Sequence, residues 1–585
     1  MSTSKHIDKI CIVVLLFALL LTGLFMNGEA FGMTPIVDGD DGDGQFTIND
    51  LNADWDSADA TQITLTGNGG SVKGNGAYVY EGDIHIMNAG VYILSGELDG
   101  GSVIIDADKN DKIWILLDGV SLHCEDNAAI VIEQAEKVFL TLASGTENSV
   151  SSGAEYTSTA VSAGIDGAIY SRDDLTINGN GSLSVTAQYR HGIVCNDDLV
   201  ITGGNMEIEA VQDGIHANDS ARFADVNITI NAGDDGITVS NDDETGYIYI
   251  ESGNISIPSC YEGIEAVDIT VAGGVLNITP TDDGINANGR GSNSVIRITD
   301  GDITIINETG RDADGLDSNG DIYISGGNVF ISVTSNGGSC AIDYGSENGG
   351  TCEISGGTVI AAGSSAMAEG FDSSSEQCFI MYNTSNTSAG TTVSLKNSAG
   401  TVLMSEIIPC SFSSVVISTP ELQMGEICTI SIGDTEAEIT VDNASNLNGF
   451  GMDGMKQGGF GMGGMQQGGF SGEMRRGQGG RADRFGGNQS DADAGRGEMP
   501  EMPDVQGMPD VQGMPDMQGM PDMQEMPDMQ EMPDKNAWRG QFPTGQIPDG
   551  EAAETSVVAS PNLILTGVSI LVLLAGILVA LKVKH

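Results

Sequence analysis

An acid-glycine-apolar triplet recurs through the middle of the chain, and it restricts the fold more than any other feature. It occurs as Asp166-Gly167-Ala168, Asp213-Gly214-Ile215, Asp235-Gly236-Ile237, Glu262-Gly263-Ile264, Asp283-Gly284-Ile285 and Asp314-Gly315-Leu316, with His191-Gly192-Ile193 in the second slot. Successive spacings are 25, 22, 22, 27, 21 and 31 residues. That is a solenoid period with loop insertions, long enough for three short strands and three turns per coil. Two residues beyond the acid come Ala168, Ile193, Ile215, Ile237, Ile264, Ile285 and Leu316; four beyond come Tyr170, Cys195, Ala217, Val239, Ala266, Ala287 and Ser318. A period of two puts both series on the inner face, stacked coil upon coil. Five beyond the acid, asparagine recurs as Asn196, Asn218, Asn288 and Asn319. Asparagine tolerates the left-handed backbone of a tight turn, and stacked amides bond from coil to coil. A second strand such as Leu175-Thr176-Ile177, a glycine turn such as Gly203-Gly204 and a third strand such as Met206-Glu207-Ile208 close each coil. The expected fold is all-β: a right-handed parallel β-helix with three strands per coil.

Stacked coils lie about 4.8 Å apart, and calcium–oxygen bonds are about 2.4 Å long. A cation therefore fits between vertically adjacent carboxylates. Extra acids flank the column: Asp234 beside Asp235, Asp282 beside Asp283, and Asp312 near Asp314. Three residues beyond the acids, an outward position holds His216, Glu265, Asn286 and Asp317. Unpaired stacked carboxylates repel, so protons or cations must offset them. A single Asp-Gly is ordinarily only a turn dipeptide; a column of them with supplementary acids is read as a calcium ladder. The candidate metal ligands are Asp213, Asp234, Asp235, Glu262, Glu265, Asp282, Asp283, Asp312, Asp314 and Asp317.

Composition agrees with the repeat. Glycine contributes 82 of 585 residues and aromatics only 5%, which suits a turn-rich solenoid better than a helical enzyme. The formal net charge is −60. Nucleic acid is not an expected partner, because backbone phosphates require Lys and Arg; a polyanionic ligand would need a bridging metal. Cys11 lies in the leader. The other eight cysteines show no CxxC or Cys/His zinc spacing and read as packed thiols or as one or two disulfides.

Both ends read as membrane signals. Lys5 and Lys9 precede an apolar run from Ile10 to Met26 and then Gly28-Glu29-Ala30, the pattern of a signal peptide over 1–30. An uncharged run from Leu563 to Leu581 precedes two lysines, as in a transmembrane helix (561–581) with a cytoplasmic tail (582–585). Between them the expected order is an irregular acidic segment (31–60), the β-helix (61–378), a β extension (379–442) and a Gly/Met/Pro-rich stalk (443–560). In the stalk, Met-Pro-Asp recurs every six residues and blocks regular structure. The expectation is a single-pass surface protein with its main domain outside the cell.

The Asp-Gly-Ile coils, with Gly90-Val91-Tyr92-Ile93-Leu94-Ser95-Gly96 and Leu117-Asp118-Gly119-Val120 ahead of them, resemble the calcium-dependent, polygalacturonate-binding β-helix proteins, which are similar to polysaccharide lyases in fold. The resemblance covers roughly residues 60–440 and implies several calcium ions and an acidic polysaccharide ligand; His191 and Glu262 depart from the Asp pattern. Candidate sugar contacts are Arg190, Tyr261, Arg290 and Arg311, an arginine being suited to a sugar carboxylate. β-Elimination needs a base, usually Lys or Arg beside calcium-bound uronate, and no Lys occurs from 138 to 395. The chain is therefore read as a non-catalytic binder, with a lyase-like enzyme or a structural adhesin as the alternatives.

Overall fold

The structure, a computed structural model, describes residues 44–54, 58–241, 245–289, 293–309, 313–442 and the backbone of 445–446. The expected signal peptide, the transmembrane helix and its tail, and the stalk apart from that two-residue stretch lie outside the described residues. No helix among the described residues is long and apolar enough to cross a membrane.

The coils form a parallel β-helix. One ladder is a 12-stranded sheet running from Ala77–Tyr80 to Ile342–Tyr344. It contains the strands of the repeat, among them Ile215–Ala217, Ile237–Val239, Ile264–Ala266, Ile285–Ala287 and Leu316–Ser318. The second and third ladders merge into one larger sheet, because long strands such as Asp174–Ala187 and Asp198–Ala210 turn the corner between them. They do so with a register shift between Gly179 and Ser182. The inner row Ile193, Ile215, Ile237, Ile264, Ile285, Leu316 and Ile342 is paired residue to residue and fully buried. Each such side chain stabilises the solenoid by about 1.5–3 kcal/mol, the same way in every coil. At the C-terminal end, Phe412–Ser418 pairs antiparallel with the last parallel strand, Thr358–Gly363. A four-stranded antiparallel sheet follows within 391–440 and shares a second apolar core with Ile360, Ala362 and Ile380 of the large sheet.

Four local readings change. In the first triplet coil, Ile169 and Ser171 pair with Ile193 and Cys195, so the stack members are not Ala168 and Tyr170. Tyr170 instead packs outward with Val131, Tyr156, Ala160 and Val194. The helix Ser158–Ser162 covers this stretch, so both faces of the strand are apolar and alternation carries no signal there. The recurring asparagines are not left-handed: the described non-glycine residues with positive φ are Glu81, Arg190 and Asp225. The coil-to-coil amide stack runs instead through Asn205, Asn227 and Asn254, at 3.0 Å per step.

The triplet glycines are not turn formers either. Gly236 has an ordinary φ, and a Cβ there would lie 2.6 Å from Gly263 O and 2.7 Å from Ile257 Cγ2 of the neighbouring coil. Glycine is required by close approach of the coils, not by a strained turn. Finally, the acidic segment before the helix contributes an ordered piece. Thr47 caps the short helix Ile48–Leu51, and Phe46 packs with Val200, Ala224 and Tyr249 on the outside of the coils. The eight described cysteines are all free, and all but Cys378 are buried.

Candidate functional site

The repeat builds two parallel columns on the 12-stranded sheet. One is the acid column: His191, Asp213, Asp235, Glu262, Asp283, Asp314 and then Cys340. Its backbone is bonded step by step, from Gly192 N to Asp213 O at 3.0 Å through to Gly315 N to Cys340 O at 3.2 Å. The other is the outward row His216, Thr238, Glu265, Asn286, Asp317 and Asp343, paired in register.

One carboxylate oxygen of several column acids has a structural duty. Asp213 Oδ1 accepts the Asp235 N–H at 3.2 Å, and Asp235 Oδ1 accepts the Glu262 N–H at 3.3 Å. Asp283 Oδ1 accepts the Asp314 N–H at 2.7 Å, and Asp314 Oδ1 accepts the Cys340 N–H at 2.5 Å. The rest of each carboxylate meets neighbouring side chains: Asp213 Oδ2 meets His191 and His216, Asp235 meets Glu265, and Asp283 meets Asp317. Side-chain hydrogen bonds run along the outward row and, through Asn286, across to the acid column. Thr238 Oγ1 donates to Glu265 Oε2 at 3.0 Å, Asn286 Nδ2 donates to Glu262 Oε2 at 2.9 Å, and Asn288 Nδ2 bonds Glu265 Oε1.

Carboxylate oxygens converge at two places along this strip. One set is Asp235, Glu262 and Glu265; the other is Asp213, Asp234 and Asp235. In each, ligand atoms lie within 4.8 Å of one another. Further along, Asp314, Cys340 and Asp343 form a third convergence. Asp235, Glu265, Asp283 and Asp314 are buried. Burial first, and then the charge of Glu265, pushes Asp235 far above the usual carboxylate range. Burial and Glu265 likewise raise Glu262, and burial and Asp317 raise Asp283. Burial raises Asp314 to about 7 despite the N–H of Cys340. Asp317 is raised by burial, then by Asp314 and Asp343.

Buried like charges of this kind are stable only when protonated or neutralised by a cation. An oxygen-only donor set suits a hard cation such as calcium. Asp235, Glu262 and Glu265 would hold the ion, with Asp234 at the edge; Asp283, Asp314, Asp317 and Asp343 offer a second group of oxygens.

Asp213 is set apart from the others. Burial raises its pKa, but hydrogen bonds from His191 and His216 outweigh that and hold it well below the carboxylate range. Asp282 lies beside Tyr261, whose phenol it hydrogen-bonds; that bond and then burial raise the phenol pKa. Tyr261 is 48% exposed. Arg190 is also half exposed, 3.8 Å from Asp166 Oδ2. The expected residues Asp312, Arg290 and Arg311 lie outside the described residues. The sequence reading missed Cys340 and Asp343. Their signal was available, since Cys340-Ala341-Ile342-Asp343 repeats the Asp314-Gly315-Leu316-Asp317 pattern with Cys and Ala in the first two slots.

Comparison with known proteins bears on these coils. A carbohydrate-binding domain-containing protein of Acetivibrio thermocellus (strain ATCC 27405) is 38% identical over 137 residues, 23% of this chain and 48% of that protein. The chain thus spans about half the length of the curated relative it matches. A solved structure described as the polysaccharide lyase-like protein from C. thermocellum, gadolinium derivative, is 30% identical. The match covers 45% of this chain and 96% of that one, with a TM-score of 0.37. Residues 80–366, the coils that carry both columns, match the family model described as carbohydrate-binding domain-containing protein.

Proposed function

We propose that the protein binds an acidic polysaccharide of the polygalacturonate type at the cell surface, in a calcium-dependent manner, and leaves it uncut. The observation that carries this reading is the convergence of Asp235, Glu262 and Glu265 within 4.8 Å on one strip of the solenoid. A chain of net charge −60 repels a polyuronate; calcium supplies the positive charge that links column carboxylates to sugar carboxylates. Tyr261, exposed beside the strip, offers an aromatic face to a sugar ring, and Arg190 offers a guanidinium to a uronate.

Four basic groups among the described coil residues support a binder over a lyase. Lys137 is held in a buried ion pair with Asp50 at 2.9 Å. Arg222 pairs with Asp198 at 2.9 Å, Arg297 with Asp268 at 2.6 Å, and Arg172 donates to Ala163 O at 2.9 Å. A proton-abstracting base needs to be free and close to neutral poise.

The test is retention of the full chain on immobilised polygalacturonate with calcium and with excess chelator, a neutral glucan serving as control, while ultraviolet absorbance follows unsaturated product. Retention only with calcium and no rise in absorbance is the expected result. Equal retention in chelator overturns the calcium reading, and a steady rise in absorbance makes the protein a lyase.

A further inference from the structure

At the N-terminal head of the acid column the donor set changes from oxygen to nitrogen. His191 takes the column slot, and His216 is the outward residue of the next coil. Both turn their Nδ1 atoms to the same oxygen, Asp213 Oδ2, at 3.1 and 2.8 Å. The three ligand atoms lie within 4.8 Å of one another. All three side chains are largely shielded, at 10%, 7% and 20% exposure for His191, Asp213 and His216. The rings are tilted against each other with centroids 4.9 Å apart, so they converge from adjacent coils on one point.

Hydrogen bonding alone leaves a conflict at this point. Asp213 N–H donates to His191 Nδ1 at 3.2 Å, which requires that nitrogen to be unprotonated. An unprotonated Nδ1 then faces Asp213 Oδ2 at 3.1 Å, lone pair to lone pair. A proton on Nδ1 relieves that repulsion but removes the acceptor of the Asp213 amide. A cation on that lone pair relieves the repulsion at the same loss of the amide's acceptor, but unlike a proton it also brings in His216 as a third ligand. The edges suit such an ion. With metal–ligand bonds of about 2.1 Å, the two edges that Asp213 Oδ2 makes with the imidazoles subtend roughly 95° and 85° at the metal, close to the right angle between adjacent octahedral ligands.

We propose that His191, Asp213 and His216 form a binding site for a divalent first-row transition metal of the zinc type, separate in chemistry from the oxygen-only strip. Two imidazoles and one carboxylate are the donor set of such metals, whereas calcium selects oxygen. The ion staples two consecutive coils at the boundary where the helix-covered apolar outer face (Tyr170, Val194) gives way to the acid strip. Asp213 belongs to this site through Oδ2, while its Oδ1 keeps the Asp235 amide.

The experiment is calorimetric titration of the full chain with Zn2+ in saturating Ca2+, together with thermal melts with and without Zn2+. Wild type is compared with His216→Ala, His191→Gln and, as a control remote from the site, His85→Gln. His216 lies on the outward row and its side chain bonds no backbone group, so His216→Ala tests the site without breaking the ladder; an unchanged calcium response of that variant verifies the fold. Wild type and His85→Gln are expected to bind one more tight equivalent of Zn2+ than the two site variants. The affinity lost is at least the 10–100-fold, roughly, that an outer-shell change costs a metal site. The Zn2+ increment in melting temperature disappears with it. Equal stoichiometry and affinity in wild type and His216→Ala overturn the proposal, as does complete displacement of Zn2+ by Ca2+. Because Ca2+ is present throughout, failure of this site leaves the calcium-dependent glycan reading standing, and the converse also holds.

Discussion

Asp50 Oδ1 lies 2.9 Å from Lys137 Nζ, with the carboxylate side chain 1% and the ammonium side chain 10% exposed. This pair fastens the N-terminal segment to the outside of the solenoid. Thr176 Oγ1 donates to the same oxygen at 2.6 Å, and Arg222 Nη1 donates to Gln45 O at 3.0 Å. Burial raises the Asp50 pKa, but Lys137 and Thr176 outweigh it and the net shift is downward. Lys137→Ala leaves that carboxylate buried without its cation and is expected to cost about 3–5 kcal/mol. The double variant Asp50→Asn/Lys137→Met is expected to recover most of it. Urea unfolding of the three proteins decides the matter; a single variant as stable as wild type means the segment is not docked.

Asp235→Asn keeps an oxygen to accept the Glu262 amide but removes the charge. In chelator this variant is expected to melt at or above the wild-type temperature, because a repelling carboxylate is gone. Its calcium increment shrinks, since the stabilisation that calcium supplies grows with its activity over Kd and reaches about 2.7 kcal/mol at a hundredfold excess. Asp235→Ala also orphans the amide and is expected to lose a further 1–3 kcal/mol, approximately, with or without calcium. Melting temperature against calcium concentration separates the two; identical increments in wild type and Asp235→Asn exclude this carboxylate as a ligand.

Stability without metal is expected to fall as pH rises from about 4 to about 7. Asp314, raised to about 7 chiefly by burial, and Asp235, Glu262 and Asp283, raised by burial and by one another's neighbours, bind more protons folded than unfolded in that window. Asp213 and Asp50 act in the opposite sense, but only at lower pH, because their folded pKa values are depressed. Calcium, by neutralising the strip, is expected to flatten the slope. Melts across this range in chelator and in calcium measure it; a metal-free protein that gains stability towards neutral pH contradicts the buried-charge account.

Gly236→Ala is expected to destabilise by about 1–3 kcal/mol through overpacking, equally with and without calcium. The added Cβ meets the Gly263 carbonyl oxygen and Ile257 of the neighbouring coil. A loss seen only in calcium points instead to a role of this glycine in the cation site.

Much of this molecule is legible in one dimension because a solenoid repeats its environment. A fixed period puts Ile215 on Ile237 and Asp213 on Asp235 whatever the intervening loops do, so the coils, the inner row and the acid column follow from spacing alone. The sequence failed where that regularity breaks. At Asp166-Gly167 the outer face is covered by Tyr156 and Ala160, both faces are apolar, and the register moved by one residue without a trace in the alternation. A lone Asp-Gly suggests a turn, and only the distance between neighbouring coils shows that the glycine of this column is there because it admits no Cβ. Which oxygen of each carboxylate holds a backbone amide, and which remains, depends on side-chain rotamers that periodicity does not encode. The convergence of His191 and His216 on one oxygen of Asp213, and the reach of Asp50 to Lys137, join groups from different coils or from outside the repeat. Such contacts are set by three-dimensional packing, and no spacing along the chain records them.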